Sequence, residues 1–105
     1  MTDAFGALAH PVRRKLLELL MAGPRTAGDL AAQFELSRPA VAEHLKVLRD
    51  AALVRDRAEG RERHYSLDGA PLAEVNDWLH PFEEYWRPRL RALAEVAEDL
   101  EGSDE

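Results

Sequence analysis

The chain has no cysteine, which removes disulfides, thiolate metal sites and cysteine nucleophiles together. No segment approaches the roughly 18 consecutive apolar residues of a membrane helix, and the N-terminus carries no signal-peptide pattern. A soluble, cytoplasmic protein is therefore expected. Glycine-rich phosphate loops, Ser-His-Asp or Cys-His groupings and paired buried carboxylates are missing too, so neither enzymatic activity nor a cofactor is expected. Aromatic residues make up only 7% of the 105 residues. Basic residues are also in deficit, 14 Lys and Arg against 20 Asp and Glu, for a net charge of -6. Taken as an average, that charge disfavours a polyanionic partner.

The average conceals a division. Residues 1–70 hold 11 basic against 10 acidic side chains, whereas residues 71–105 hold 3 against 10. The acid is concentrated in the last third. Within 37–65 there are seven basic and five acidic residues, with His44 and His64 besides, so an anionic partner would meet this middle segment. The length fits one domain over 1–105, small enough to gain considerably from dimerisation.

Along the chain, a short helical pattern over Thr2–Leu8 ends at His10-Pro11, where the proline biases its predecessor out of helical geometry. Pro11 then suits the first turn of a second helix, with Val12, Leu16, Leu19 and Leu20 facing inward and Arg13, Arg14 and Lys15 facing out. Thr26 with Asp29 resembles a capping box for a third short helix, whose inward residues are Leu30, Ala31 and Phe34. Ser37 is an N-cap candidate for a fourth helix to about Ala51, and Pro39 falls harmlessly in its first turn. At 100° per residue, Leu45 and Leu48 lie within about 40° of Val41, while Pro39, Glu43, Lys46 and Asp50 lie opposite. Two amphipathic helices joined by a tight turn, the second with a free polar face, make a helix-turn-helix.

Residues 53–67, "LVRDRAEGRERHYSL", have β-formers at both ends and Gly60 at a charged tip, and so read as a hairpin wing. Val54, Tyr65 and Leu67 are expected to cover the helices; Arg55, Arg57, Arg61 and Arg63 are expected on the exposed face and tip. From Pro71 a stripe of Leu72, Val75, Leu79, Phe82 and Trp86 continues through Leu90, Leu93, Ala97 and Leu100. Pro81 and Pro88 are expected to kink this region or split it into two helices, and residues 101–105 are expected to fray. Trp78, Phe82, Tyr85 and Trp86 supply four of the seven aromatics, an apolar load that a partner subunit would cover.

The stretches "ALAHPVRRKLLELL", "TAGDLAAQFELSRPAVAEHLKVLRDAALV" and "EGRERHYSL" resemble, in order and spacing, the ArsR/SmtB family of winged-helix transcriptional repressors. The tail "WLHPFEEYWRPRL" is similar to a metal-independent subgroup that includes self-regulating repressors. The resemblance implies a mainly α winged helix-turn-helix, with residues 37–51 as recognition helix, 53–67 as wing and 70–101 as C-terminal dimerisation helices. It further implies a homodimer joined through its first and last helices, here Phe5, Leu8, Trp78, Leu79, Phe82, Trp86, Leu90 and Leu93, on a palindromic duplex. Its operator is expected near its own promoter.

The DNA-facing roles follow from chemistry placed on that frame. Ser37 caps the recognition helix beside free backbone N–H groups. Arg38, where the family often has Gln, is able to grip guanine in a bidentate pair. Pro39 shares the outer face. Ala42 replaces a common Ser and suits a thymine methyl. Glu43 is able to accept from cytosine, and Lys46 suits the backbone. Arg57, Arg61 and Arg63 suit phosphates or a narrow minor groove. His44, at about 60° from the core centre, reads as a flanking residue.

Two rival functions are weighed. A metal-responsive repressor of this family uses Cys pairs in the third helix, where this chain has "TAGDL", or His-rich spacing in the last helix. Here Asp77-Trp-Leu-His80 departs from that spacing, and His10, His80, Glu83 and Glu84 remain as scattered donors, so no metal site is expected. A protein-interaction module that no longer binds DNA is the other rival, favoured by Ala42, Glu43 and the acidic total. Three triggers stay open: a small apolar ligand at the aromatic interface, a partner protein, or the protein's own concentration.

Overall fold

The computed structural model describes residues 3–102. Backbone contacts divide the chain into one unit ending at Val75 and another beginning at Asn76. The first contains α1 (Ala4–Ala7), α2 (Pro11–Leu20), β1 (Arg25–Thr26), α3 (Ala27–Ala31), α4 (Arg38–Asp50), β2 (Val54–Glu59) and β3 (Glu62–Leu67). A last helix, α5 (Ala70–Gly102), starts in the first unit and forms the described part of the second. Thr2, where the sequence places the first helical pattern, and residues 103–105 of the expected frayed end lie outside the described residues; Glu101 and Gly102 are helical.

Local chemistry sets each boundary. Asp3 caps α1 by accepting from the Gly6 N–H at 2.9 Å. His10 is extended, as its following proline demands, and its Nδ1 accepts from the Val12 N–H at 3.1 Å. Thr26 Oγ1 accepts from the Asp29 N–H at 3.1 Å, and Ser37 Oγ from the Ala40 N–H at 3.2 Å. Each cap satisfies an N–H that the first helical turn would otherwise leave without a partner.

The C-terminus of α4 ends without glycine. Ala52 takes a φ of 60°, and the N–H groups of Ala52 and Leu53 donate to the carbonyls of Arg49 and Leu48, each at 2.9 Å. This is a Schellman closure with alanine in the left-handed position. It turns the chain so that Leu53, fully buried like Leu48, enters the core at the start of the hairpin.

The core joins Leu16, Leu17 and Leu20 of α2, Leu30 of α3, and Val41, Leu45 and Leu48 of α4 with Leu53, Val54 and Tyr65. Fully burying each such leucine contributes about 1.5–3 kcal/mol. Leu72 and Val75, from the first turns of α5, pack against this cluster, as do Val12, Leu19 and Phe34. Leu17 joins the buried stripe of α2, whereas Arg13 does not face outward as its position on the wheel suggested. Its guanidinium turns back to donate to the carbonyls of Ala7 at 2.7 Å and Gly6 at 3.2 Å. Arg14 donates to the carbonyl of Leu8 at 2.7 Å. The C-terminal carbonyls of α1 need donors, and the two arginines supply them.

The sheet has the order β1-β3-β2. Val54 pairs with Leu67 and Glu59 with Glu62 across the hairpin, whose two-residue turn places Gly60 at φ 62°, as a tight hairpin turn requires. β1 is an addition to the expected hairpin: Arg25 pairs with Tyr65 and Thr26 with His64.

The C-terminal region is one helix of 33 residues with Pro81 and Pro88 inside it, so the expected split does not occur. The carbonyls deprived of their N–H partners belong to Asp77 and Glu84. Both residues are exposed, so water is at hand to replace the missing donor. No residue of α5 is buried.

Candidate nucleic-acid interface

Helix α4 divides cleanly. Val41, Leu45 and Leu48 are buried, while Ser37, Arg38, Pro39, Ala42, Glu43 and Lys46 are all exposed. The sequence thus places every candidate of this helix on its solvent side. Lys46 and Arg38 have no carboxylate within ion-pair distance among the described residues. His44 lies between the two faces, its ring 4.3 Å from that of His10 and its Nδ1 3.3 Å from Arg13 Nη1. Burial, then the neighbouring His10 and Arg13, hold its pKa below the usual histidine value, against a smaller pull from Glu43.

The wing arginines are not equivalent. Arg57 Nη2 meets Glu59 at 3.2 Å. Arg61 stands in the turn with no ion pair among the described residues. Arg63 is exposed, as expected, but not on the face of Arg55 and Arg57. Strand alternation puts it on the side of Tyr65 and Leu67, where its Nη1 donates to Asp56 Oδ2. The same carboxylate oxygen accepts from Arg49 of α4 at 3.2 Å. Asp56 therefore ties β2, β3 and α4 together. Its hydrogen bond from Arg63 and then that from Arg49 hold its carboxyl below the ordinary carboxylate range despite a partial desolvation. Neither Arg49 nor Asp56 stood out in the sequence, because a charge hub is visible only once the hairpin register faces Asp56 toward the helix.

Among the candidates for the dimer interface, Phe5 of α1 and Leu8 at its C-cap are half-buried, and Leu8 packs on the core. In the second unit Trp78, Phe82, Leu90 and Leu93 are exposed, at 57%, 45%, 58% and 66%, while Leu79 and Trp86 are partly covered. The rings of Trp78 and Phe82 lie 4.9 Å apart, and those of Phe82 and Trp86 6.5 Å apart and nearly parallel. Arg89 lies 3.9 Å over the Tyr85 ring, a cation–π contact. His80 and Glu83 are 3.7 Å apart, and Glu83 is also held by Arg87 at 3.2 Å. Among the described residues no three His, Asp or Glu side chains are grouped so as to hold a metal ion.

Comparison with known proteins gives the family and the fold. The family described as bacterial regulatory protein, arsR family, matches residues 10–56, which contain α2, α3, α4 and the start of β2. The HTH-type transcriptional regulator Rv2034 of Mycobacterium tuberculosis is 43% identical over 101 residues, covering 96% of this chain and 91% of that protein. The chain belongs to the ArsR family. Another similar protein is the transcriptional repressor SdpR of Bacillus subtilis, 38% identical over 82 residues, with 78% of this chain and 91% of that one covered. A crystal structure described as a possible transcriptional regulator for arsenical resistance superposes with a TM-score of 0.72 at 38% identity, covering 91% of this chain and 97% of the other. This ArsR-family protein is thus a winged-helix, DNA-binding transcriptional regulator and not an enzyme. Among its described residues no helix is long and apolar enough to cross a membrane.

Proposed function

We propose that this ArsR-family regulator is a homodimeric, cytoplasmic repressor that occludes a promoter by binding a palindromic operator. The observation that carries the DNA-binding face is the division of α4, whose Ser37, Arg38, Pro39, Ala42, Glu43 and Lys46 side is solvent-exposed beside a wing bearing Arg57, Arg61 and Arg63. A helix with one face buried and the other lined with contact-capable groups suits a major groove. Dimerisation is supported by the unburied apolar residues of α5, from Trp78 to Leu100. Pairing them with a second copy, together with Phe5 and Leu8, would remove apolar surface from water at roughly 25 cal/mol per Å². Two-fold pairing sets two recognition helices on half-sites about one duplex turn apart, and the symmetry of the operator follows.

The test is selection of bound duplexes from a random pool, with sedimentation of the protein alone. An inverted repeat, a two-subunit species and an affinity falling steeply with salt are expected. Uniform weak binding to every duplex, or a single-subunit species at micromolar concentration, would instead favour an interaction module.

A further inference from the structure

The Arg38 side chain does not reach straight outward from the start of α4. Its Nη2 lies 2.6 Å from the point where a Cβ would stand on Gly28. The guanidinium therefore occupies a notch that exists because residue 28 has no side chain. The notch opens on a cleft of about 270 Å³ walled by Thr26 and Gly28, by Arg38, and by Arg61, Glu62 and Arg63 of the wing. Its space is several times the roughly 30 Å³ that one water takes in the liquid.

The charges around the cleft are unbalanced. Arg63 is already engaged by Asp56, and Glu62 lies 3.5 Å from His64. Arg38 and Arg61 carry no ion pair among the described residues. Three guanidiniums line this cleft against one carboxylate, that of Glu62, which among the described residues makes no ion pair with Arg38 or Arg61; an oxyanion between Arg38 and Arg61 turns their mutual repulsion into two attractions. Three separate segments of the first unit converge here: the start of α3, the start of α4 and the wing turn.

We propose that Arg38 and Arg61 close on one phosphodiester of the bound DNA in this cleft, with Gly28 as the positioning residue that admits Arg38 to it. The proposal rests on the DNA-binding reading above and assigns Arg38 to the backbone instead of a guanine edge. A guanidinium held back in the notch contributes to affinity for every sequence alike.

The test uses the full chain, a duplex selected by it and a scrambled duplex of equal length, each titrated at several salt concentrations. Arg38→Ala and Arg61→Ala are each expected to weaken both duplexes by the same factor and to lower the salt slope by about 1. Gly28→Ala is expected to fold, because the clashing atom is the free end of a flexible side chain, and to weaken both duplexes with the charge count unchanged. In an Arg38→Ala background, Gly28→Ala should cost nothing further. The proposal is overturned if Arg38→Ala lowers only the preference for the selected duplex, if Arg61→Ala leaves the slope unchanged, or if Gly28→Ala still weakens binding without Arg38. A wild-type protein that binds neither duplex would defeat the DNA-binding reading itself. Inorganic phosphate, followed by the Gly28 amide resonance, distinguishes the source. Displacement of phosphate by the duplex supports a shared site, whereas phosphate held at Arg38 while DNA binds undisturbed assigns the cleft to free phosphate and overturns the proposal.

Discussion

The two units of this chain solve the burial problem in opposite ways. The unit ending at Val75 hides its apolar residues internally, with Leu16, Leu30, Leu45, Leu48 and Leu53 fully buried. The unit beginning at Asn76 buries none of its described residues and exposes Trp78, Phe82, Tyr85, Leu90, Leu93, Val96 and Leu100. Their charge differs in the same sense, balanced at 11 basic against 11 acidic residues over 1–75 and strongly acidic, 3 against 9, over 76–105. A segment that cannot satisfy its own apolar surface, and whose charge repels phosphate, is suited to protein contact. One that closes its own core, yet leaves cations unpaired on its surface, is suited to an anionic partner.

The contrast is broken most severely from within the first unit. Leu45→Ala removes a fully buried side chain between α4 and the rest of the core, and is expected to cost about 2–5 kcal/mol by urea unfolding. Leu93→Glu places a charge on the exposed stripe of α5. It should leave the far-ultraviolet dichroism unchanged while weakening self-association about 10- to 100-fold in sedimentation, equivalent to about 1.4–2.8 kcal/mol. An unchanged association constant would remove the tail from the interface.

Smaller perturbations sharpen the picture of the first unit. Asp56→Asn should cost about 1 kcal/mol, because charge-assisted bonds to Arg49 and Arg63 at a partly exposed site are weakened, and amide exchange in β2 and β3 should quicken more than in α2. Ala52→Gly relieves a left-handed alanine and should stabilise by about 0.5–1 kcal/mol in the same urea assay. The smallest effect concerns His44, whose ring is only partly shielded by His10 and Arg13. Its pKa is lower folded than the 6.5 it has otherwise, so just below that value the unfolded chain binds more protons than the folded one. Stability from this group is complete above about pH 6.5 and declines as the pH falls below it. His44→Gln should flatten that part of the stability profile.

Much of the first unit was legible because its signals are local. The Ser37 cap, the Val41, Leu45 and Leu48 stripe, and the Val54 to Leu67 hairpin about Gly60 all depend on residues a few positions apart. The features that escaped depend on distant neighbours or on two residues alone. β1 is too short to show periodicity. Arg13 looks outward on a helical wheel, and only the carbonyls of α1 draw it back. Ala52 is a poor sequence signal for a left-handed turn, yet the burial of Leu53 fixes it there. Of the candidate contact residues, the α4 face was visible from spacing, whereas the engagement of Arg63 with Asp56 and the seat of Arg38 over Gly28 needed the strand register and the approach of α3. The prolines of α5 are expected to kink or split it; the helix runs on through both, where the carbonyls left without a donor belong to exposed residues that water can reach.

Those prolines have a mechanical corollary. Pro81 and Pro88 are seven positions apart, so the two gaps they leave in the helical ladder fall within about 20° of each other around the axis. Weak points aligned along one edge reinforce each other instead of cancelling. Like a rod notched twice on the same side, α5 should yield readily in one plane and resist in the other, which lets it conform to a rounded surface without surrendering its helical hydrogen bonds elsewhere.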